Sequence, residues 1–447
     1  MSLALIVLAA GRGTRMKSDL PKVLHEIGGA SLMQHALAAG GKLNPERVIL
    51  ITGQGAEQVE RAAHALDPIL EFVRQTEQKG TGHAVAQAAP KLADFEGDAV
   101  VLYADTPFIT PDTLARLRLA RRTHDIAVLG FETDTPGRYG RLVISEGNLE
   151  RIVEYKDADA ATRALTFCNS GIMVAPARLL FELIDALRPD NAAGEYYLTD
   201  IVEHARAAGK SVTAVACPEA ETLGVNSREE LSHAEAVFQD RARGAAMACG
   251  VSMVAPDTVY LSHDTSLARD VVIEPHVVFG PGVRVEEGAR IRAFSHLEGC
   301  HIGKASVIGP YARVRPGAVL GEAVRIGNFV ELKNAEIEAG AKINHLSYVG
   351  DASVGAQANI GAGTITCNYD GVSKHRTKIG AGAFVGSNTM LVAPVSVGRG
   401  ALTASGSVIT KDVPDEALAV ARARQDNKPG LARKLFDKLR SRAAKDK

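Results

Sequence analysis

The sequence predicts two architectures in series. An α/β half with a mostly parallel sheet leads through a connecting helix into an all-β half wound as a parallel β-helix of hexapeptide repeats. Three observations predict this. Up to about residue 226, apolar runs alternate with helix-patterned segments. From Ser227 one long helical pattern follows. Beyond about residue 255, apolar residues recur every six positions.

In the first half, residues 3–10 (LALIVLAA) form a continuous apolar run, as expected of a strand buried on both faces. Residues 47–53, 98–105, 125–132 and 211–217 read likewise, with helical patterns such as Ala56–Leu66 and 113–122 between them. This alternation gives a sheet covered by helices. The first domain is therefore expected over residues 1–226. Ser227 and Glu230 make an S-x-x-E capping box, after which Leu231, Ala234, Phe238, Ala242 and Ala245 fall at helical spacing. A linker helix is expected over 227–250, and the second domain over 251–447.

The hexad register runs Leu261, Leu267, Ile273, Phe279, Val285, Ile291, Leu297, Ile302, Ile308, Val314, Leu320, Ile326, Leu332, Ile337, Ile343, Val349, Val354, Ile360, Thr366, then Ile379, Val385, Leu391, Val397, Thr403, Ile409. Twenty steps are of six residues, three of five and one of thirteen, and 23 of the 25 positions are apolar, which chance does not produce at 46% hydrophobic residues. Each register side chain is expected to point inward and stack on its counterpart one coil away, with coils about 4.8 Å apart. Small residues at the fifth position are expected to turn the corners. The thirteen-residue step makes 367–378 an inserted loop. The tail from Asp412 lacks the period; residues 431–447 are basic and weakly amphipathic, and read as a solvated end.

Composition narrows the function classes. A chain of 447 residues holds two or three domains at roughly 150 residues each and buries a large core without disulfides. A net charge of −1 gives no global reason to expect nucleic-acid binding. The five cysteines, at 168, 217, 249, 300 and 367, form no CxxC pair, which argues against a disulfide framework and against a zinc site. The run at 3–10 is too short to cross a bilayer and has no basic residues before it, and no other apolar run approaches 18 residues. A soluble protein of a reducing compartment is expected.

The first strand ends in Gly11-Arg12-Gly13-Thr14-Arg15, with Pro21-Lys22 beyond. Such a turn lets backbone N–H groups approach phosphate oxygens, and Arg15 and Lys22 suit a polyphosphate. Position 16 is Met, so the third glycine of a dinucleotide fingerprint is missing, and no P-loop Gly-Lys-Ser/Thr is present.

LAAGRGTRM (8–16) with PKVL (21–24) resembles the signature of sugar-1-phosphate nucleotidyltransferases. The match continues through QTEQKGTGHA (75–84), YAD (103–105), YGR (139–141), VEYKD (153–157), NSG (169–171), GEYYLTD (194–200) and GVN (224–226). Joined to a hexapeptide rod, residues 3 to about 422 resemble the bifunctional N-acetylglucosamine-1-phosphate uridylyltransferase/glucosamine-1-phosphate N-acetyltransferase family. The resemblance implies a Rossmann-like nucleotidyltransferase domain that moves UMP from UTP to N-acetylglucosamine 1-phosphate, releasing pyrophosphate. A phosphate monoester is already mostly dianionic near neutral pH, its second pKa being about 6, so no general base is needed. The site must align the attack and neutralise charge. Carried over, Arg15 and Lys22 are the catalytic cations and Asp105 and Asn226 the Mg²⁺ ligands, hard oxygens of the kind Mg²⁺ takes. Leu8, Ala9, Ala10, Gly11, Tyr103 and Ala104 join them around the nucleotide, Gln75, Gly80 and Thr81 read uracil, and Gly140, Glu154 and Asn169 hold the sugar. Outside the motif, Asp105 would read as a turn cap before Thr106-Pro107 and Gln75 as an exposed amide. The family usually has Gly at position 104, so the Ala104 methyl is expected to crowd the site.

On the rod, an attacking amine must lose its proton, and histidine, with an ordinary pKa of about 6.5, is a suitable base. A lone histidine is more often structural or solvated; within KINHLSYVGD (342–351) the resemblance makes His345 the base that takes the proton as glucosamine 1-phosphate attacks acetyl-CoA. It further implies Arg315 and Lys333 on the sugar phosphate and Tyr348 and Asn359 on the sugar. Ala362, Asn368, Tyr369, Ser387, Ser405 and Arg422 would line the acetyl-CoA side, Ser405 replacing a common alanine. A left-handed rod, a homotrimer with acyl-CoA sites between rods, a cytoplasmic location, and no nucleic-acid or membrane-inserted partner are also implied. Two rivals exist. A monofunctional pyrophosphorylase with a plain scaffold rod would need neither His345 nor Lys333, nor the inserted loop. A non-catalytic regulatory subunit should have lost Arg15 or Asp105.

Overall fold

The computed structural model describes residues 2–444, which form two compact units divided between Ala242 and Arg243. In the first, the main sheet runs in the order Val212–Cys217, Ile126–Glu132, Phe167–Pro176, Gly97–Tyr103, Ser2–Ala9, Arg47–Thr52, Glu71–Arg74. All neighbours are parallel except Phe167–Pro176, which is antiparallel to both of its own. A hairpin, Arg141–Ser145 with Asn148–Val153, pairs with it through Cys168. The first strand shows why its sequence is apolar throughout. Ala4, Ile6 and Leu8 enter one buried cluster while Leu3, Leu5 and Val7 enter the other, so both sheet faces are covered. The helices Ala56–Leu66 and Pro111–Ala120 stand where the periodicity places them, the second capped by Thr110 Oγ1, which accepts from Thr113 N at 3.2 Å.

The long helix spans Arg228–Ala248. Ser227 Oγ accepts from Glu230 N at 3.2 Å, half of the expected capping box, whereas Glu230 Oε2 reaches one residue further back and accepts from Asn226 N at 2.6 Å. The cap therefore also fixes Asn226. The N-terminal part of the helix closes a cluster of Ile27, Leu32, Phe108, Val225 and Ala234 with Leu231 and Phe238.

In the second unit every register position is buried except Leu267, which is partly exposed. One face stacks Ile273, Ile291, Ile308, Ile326, Ile343, Ile360, Val385 and Thr403 in parallel register. The residues two places earlier, such as Ala289, Ser306, Val324, Ala341 and Ala358, are fully buried too, so the small fifth residues pack under the corners. The residues that turn one edge are large. His276, Phe294, Tyr311 and Phe329 all have φ between 56° and 59° and stack ring on ring at 4.8–5.3 Å. Each aromatic in the ladder covers its neighbour, offsetting the left-handed backbone that bulky residues ordinarily avoid. The strands Glu331–Ile337 and Tyr348–Val354 bend through a corner and fuse two faces into one sheet.

The inserted loop is shorter than expected. Cys367 belongs to the strand Ile365–Cys367 and Thr377 opens the strand Thr377–Ile379, leaving 368–376 outside the coils. The tail carries a helix, Leu431–Ala443. Among the described residues no helix is long and apolar enough to cross a membrane.

Gly327 follows the inward Ile326, and a β-carbon there would overlap the Asn344 carbonyl of the next coil. Gly327→Ala is therefore expected to destabilise the rod by roughly 1–3 kcal/mol, the usual cost of overpacking. Circular dichroism should show an earlier melting transition; an unmoved one would mean the coils separate without cost.

Candidate functional site

The first candidate site opens at the carboxyl ends of the parallel strands, where open α/β sheets bind ligands. A cleft of about 270 Å³ is lined there by Leu8, Ala9, Ala10, Gly11, Lys22, Gln75, Gly80, Thr81, Tyr103 and Asp105, all expected from the sequence, and also by Gln78 and Glu195. Gly13, at φ +60, permits the close approach of the glycine turn to the Lys22 side chain. Gly80, at φ +106, brings its loop against the Tyr196 backbone, where a β-carbon would collide.

Gln75 is buried, in contrast to an exposed amide. Its Nε2 donates to Gly80 O at 3.1 Å and lies 3.1 Å from His83 Nδ1. Gln78 Nε2 donates to Ala10 O at 2.9 Å and ties this loop to the first strand. Ala104 differs from expectation. Its methyl is fully buried in the apolar cluster on one side of the sheet, so it packs the core and does not crowd the cleft. Only the backbone of residue 104 is left to face a nucleotide.

Lys22 is nearly buried, and its ammonium hydrogen-bonds the Asp105 carboxylate and, at 3.0 Å, Asn226 Oδ1. The Asp105 side chain thus holds a cation and caps no turn, since Thr106 Oγ1 bonds Tyr103 O instead. Val225 N donates to Asp105 O at 2.9 Å, locking the two segments together. Two hard oxygens converging on one positive charge fit a Mg²⁺ ion. Two such protein ligands would leave the rest of its octahedron to phosphates and water. Arg15 lies apart, exposed on the short turn Thr14–Met16 and outside the cleft lining.

The expected sugar group comes together at the Tyr103 end. Asn169 N donates to Gly140 O at 2.8 Å, and a β-carbon on Gly140 would meet Glu154 Oε1 at 3.3 Å. Burial raises the Glu154 carboxyl above the ordinary range, with Thr199 Oγ1 donating to it at 3.3 Å. Burial also raises the Tyr103 hydroxyl, reinforced by the Asp105 and Glu154 charges.

The second candidate site follows one edge of the rod. His345 is exposed, and its Nδ1 lies 2.8 Å from Asn328 Oδ1, directly opposite in parallel register. In the tautomer with its proton on Nδ1 the ring donates to that oxygen, and the Nε2 lone pair is then available. Extending the register of Ile343, Ile360, Val385 and Thr403 by two residues stacks His345, Ala362, Ser387 and Ser405 in one column along that edge. Arg422 follows one coil on, with its Cδ 3.9 Å from where a Gly406 β-carbon would stand. Tyr348 begins the face after this corner and Asn359 lies on the face before it.

On the face after the corner, Arg315 and Lys333 occupy successive coils. Lys374, from the inserted loop, stands beside Lys333 and holds its ammonium below the ordinary lysine range, with burial and Arg315 acting the same way. Arg315 is paired with Glu331 at 2.8 Å, so Lys333 and Lys374 are the pair of cations left to face a dianion. Asn368 Nδ2 donates to Asp351 at 2.5 Å and to the Tyr348 hydroxyl at 3.4 Å, anchoring the loop; Tyr369 on the same loop is exposed. The loop is itself ordered: the Asp370 carboxylate accepts from Val372 N, Ser373 N and His375. Sequence reasoning missed Asn328 and Lys374.

A cleft at the carboxyl ends of a covered sheet, in series with a hexapeptide rod that carries an exposed imidazole, is the arrangement of a nucleotidyltransferase joined to a hexapeptide transferase. The MobA-like NTP transferase domain family matches residues 5–167, and the bacterial transferase hexapeptide family (six repeats) matches 299–334. The bifunctional protein GlmU of Jannaschia sp. (strain CCS1) is 61% identical over 439 residues, covering 98% of this chain and 97% of its own. That of Ruegeria sp. (strain TM1040) is 62% identical over 444 residues, 99% of each. That of Paracoccus denitrificans (strain Pd 1222) is 60% identical over 440 residues, 98% of each. The chain belongs to the bifunctional GlmU family. It is an enzyme with uridylyltransferase and acetyltransferase activities.

Proposed function

We propose that the rod acetylates glucosamine 1-phosphate with acetyl-CoA and that the N-terminal unit then transfers UMP from UTP to the product, giving UDP-N-acetylglucosamine and pyrophosphate. The observation that carries this reading is the pairing of His345 with Asn328 at the head of the column Ala362, Ser387, Ser405. Nε2 of His345 takes the proton from the amine as it attacks the thioester, and Asn328 keeps the imidazole in the accepting tautomer. Arg315, Lys333 and Lys374 hold the sugar phosphate, with Tyr348 and Asn359 on the sugar, and Asn368, Tyr369 and Arg422 serve acetyl-CoA. Tyr348 and Asn359 flank the edge on adjoining faces, and a homotrimer would set a neighbouring copy's rod against that edge.

In the cleft, Gln75, Gly80 and Thr81 hold uracil while Gly140, Glu154 and Asn169 hold the sugar. Mg²⁺, when bound by Asp105 and Asn226, neutralises charge on the phosphates. Lys22 leaves that pair for the phosphate oxygens, and exposed Arg15 reaches them from the glycine turn. The enzyme works in the cytoplasm on small molecules. Thiol release from acetyl-CoA on adding glucosamine 1-phosphate tests the assignment; no release from a folded full-length chain would reject it.

The two activities are expected to separate by truncation, and the packing of the long helix sets where. A fragment ending at 242 keeps the cluster around Val225 and Ala234 and is expected to be a monomer that retains uridylyl transfer, whereas the full chain is a trimer. A fragment ending at 226 loses the Glu230 bond to Asn226 and exposes that cluster, so it should melt earlier and transfer less. Light scattering that shows a monomeric full chain would count against the trimer.

A further inference from the structure

Every described residue from Val420 onward is exposed, including all of the helix Leu431–Ala443. This is unlike the rest of the chain, whose longer helices each bury an apolar face. At about 100° per residue, Leu431, Leu435, Leu439, Ala432, Ala443 and Phe436 fall within one contiguous arc of about 140°. The large ones stand well out in solvent: Leu431 42%, Leu435 54%, Leu439 58% and Phe436 61% exposed. The helix also carries five cations, Arg433, Lys434, Lys438, Arg440 and Arg442, against one carboxylate, Asp437. Lys438 and Arg440 border the apolar arc on either side, and Arg442 lies just inside it.

We propose that this helix lies on an anionic lipid surface, apolar arc inward and cations among the headgroups. Charge decides between occupants. A second copy of the helix would bring a like-charged, strongly basic element against the first, which opposes self-association. A lipid surface of negative charge satisfies the cations and the apolar arc together, and long basic side chains bordering the arc can extend outward to phosphates. The contact would be peripheral, since a helix of 13 residues cannot span a bilayer.

The test uses the full-length chain and sedimentation with vesicles. The protein should pellet with vesicles of phosphatidylglycerol and phosphatidylcholine in about equal parts and stay in solution with phosphatidylcholine alone. Raising the salt should release it, because surface charges are screened. Leu435→Asp with Phe436→Asp, and separately Arg433→Glu with Lys438→Glu, should each weaken partitioning about tenfold or more, while acetyl transfer, which needs none of these residues, stays intact as a folding control. No pelleting with the anionic vesicles at low salt would overturn the proposal, and that is also the outcome if the helix serves a soluble acidic partner. Equal pelleting with both vesicle types, or pelleting untouched by either double substitution, would overturn it as well.

Discussion

His345→Ala lowers acetyl transfer on the order of 10²–10⁴-fold, the usual worth of a positioned proton acceptor. Acetyl-CoA binding changes little, because the imidazole serves the amine and not the cofactor. The remaining rate climbs with pH as more of the free amine is present without help. Uridylyl transfer, on the other unit, is the internal control and stays constant. Asn328→Leu separates positioning from chemistry: it removes the acceptor at 2.8 Å, freeing the wrong tautomer to form, so the rate falls by less than in His345→Ala and the pH profile shifts. If His345 only packed or capped a turn, the alanine variant would melt earlier and turn over normally per folded molecule. A folded His345→Ala enzyme with near wild-type acetyl transfer across pH 6 to 9 would end the claim.

Asp105→Asn is expected to cost uridylyl transfer more than about 10²-fold, because even outer-shell partners of a metal cost 10–100-fold when removed. Acetyl transfer should persist. The link from Lys22 to both Asp105 and Asn226 adds a second expectation. The ammonium competes with a metal for the same two oxygens, so Lys22→Ala should bind Mn²⁺ more tightly than wild type when no nucleotide is present, even as uridylyl transfer falls. The same substitution leaves a carboxylate without its partner and should lower the melting temperature until Mn²⁺ is added. Weaker or unchanged Mn²⁺ binding in Lys22→Ala would show that lysine and metal do not share the site.

The rod was legible almost residue by residue because each inward side chain packs on copies of itself, so one period encodes the whole core. Leu267 escapes full burial in the first coil of its face, where it pairs with Val285 alone. The partner of His345 was legible in principle too. Stepping two residues beyond Ile326 and Ile343 brings Asn328 onto His345, because the outward column repeats with the same period as the inward one. Lys374 carried no such signal, since an inserted loop has no register. In the first unit the apolar runs announced five of the parallel strands, but the short edge strand Glu71–Arg74, only half-buried, was missed, and so was Phe167–Pro176, whose apolar pattern CNSG interrupts. The burial of Gln75 and the core position of Ala104 depend on contacts with Gly80, His83 and the sheet interior, which no local pattern reports.

The insertion at 368–376 has a consequence for how such a rod acquires new chemistry. Across the loop Val354 still pairs with Ile379 and Ile360 with Val385, and the coils beyond resume their earlier spacing. A coil answers only to the coil above and the coil below, so extra chain leaving at a corner disturbs neither stack. Corners thus behave as free attachment points: a lineage, or an engineer, can extrude a loop bearing a lysine and a tyrosine there without renegotiating the interior. The scaffold is conservative along its axis and permissive around its perimeter, and innovation is confined to the perimeter.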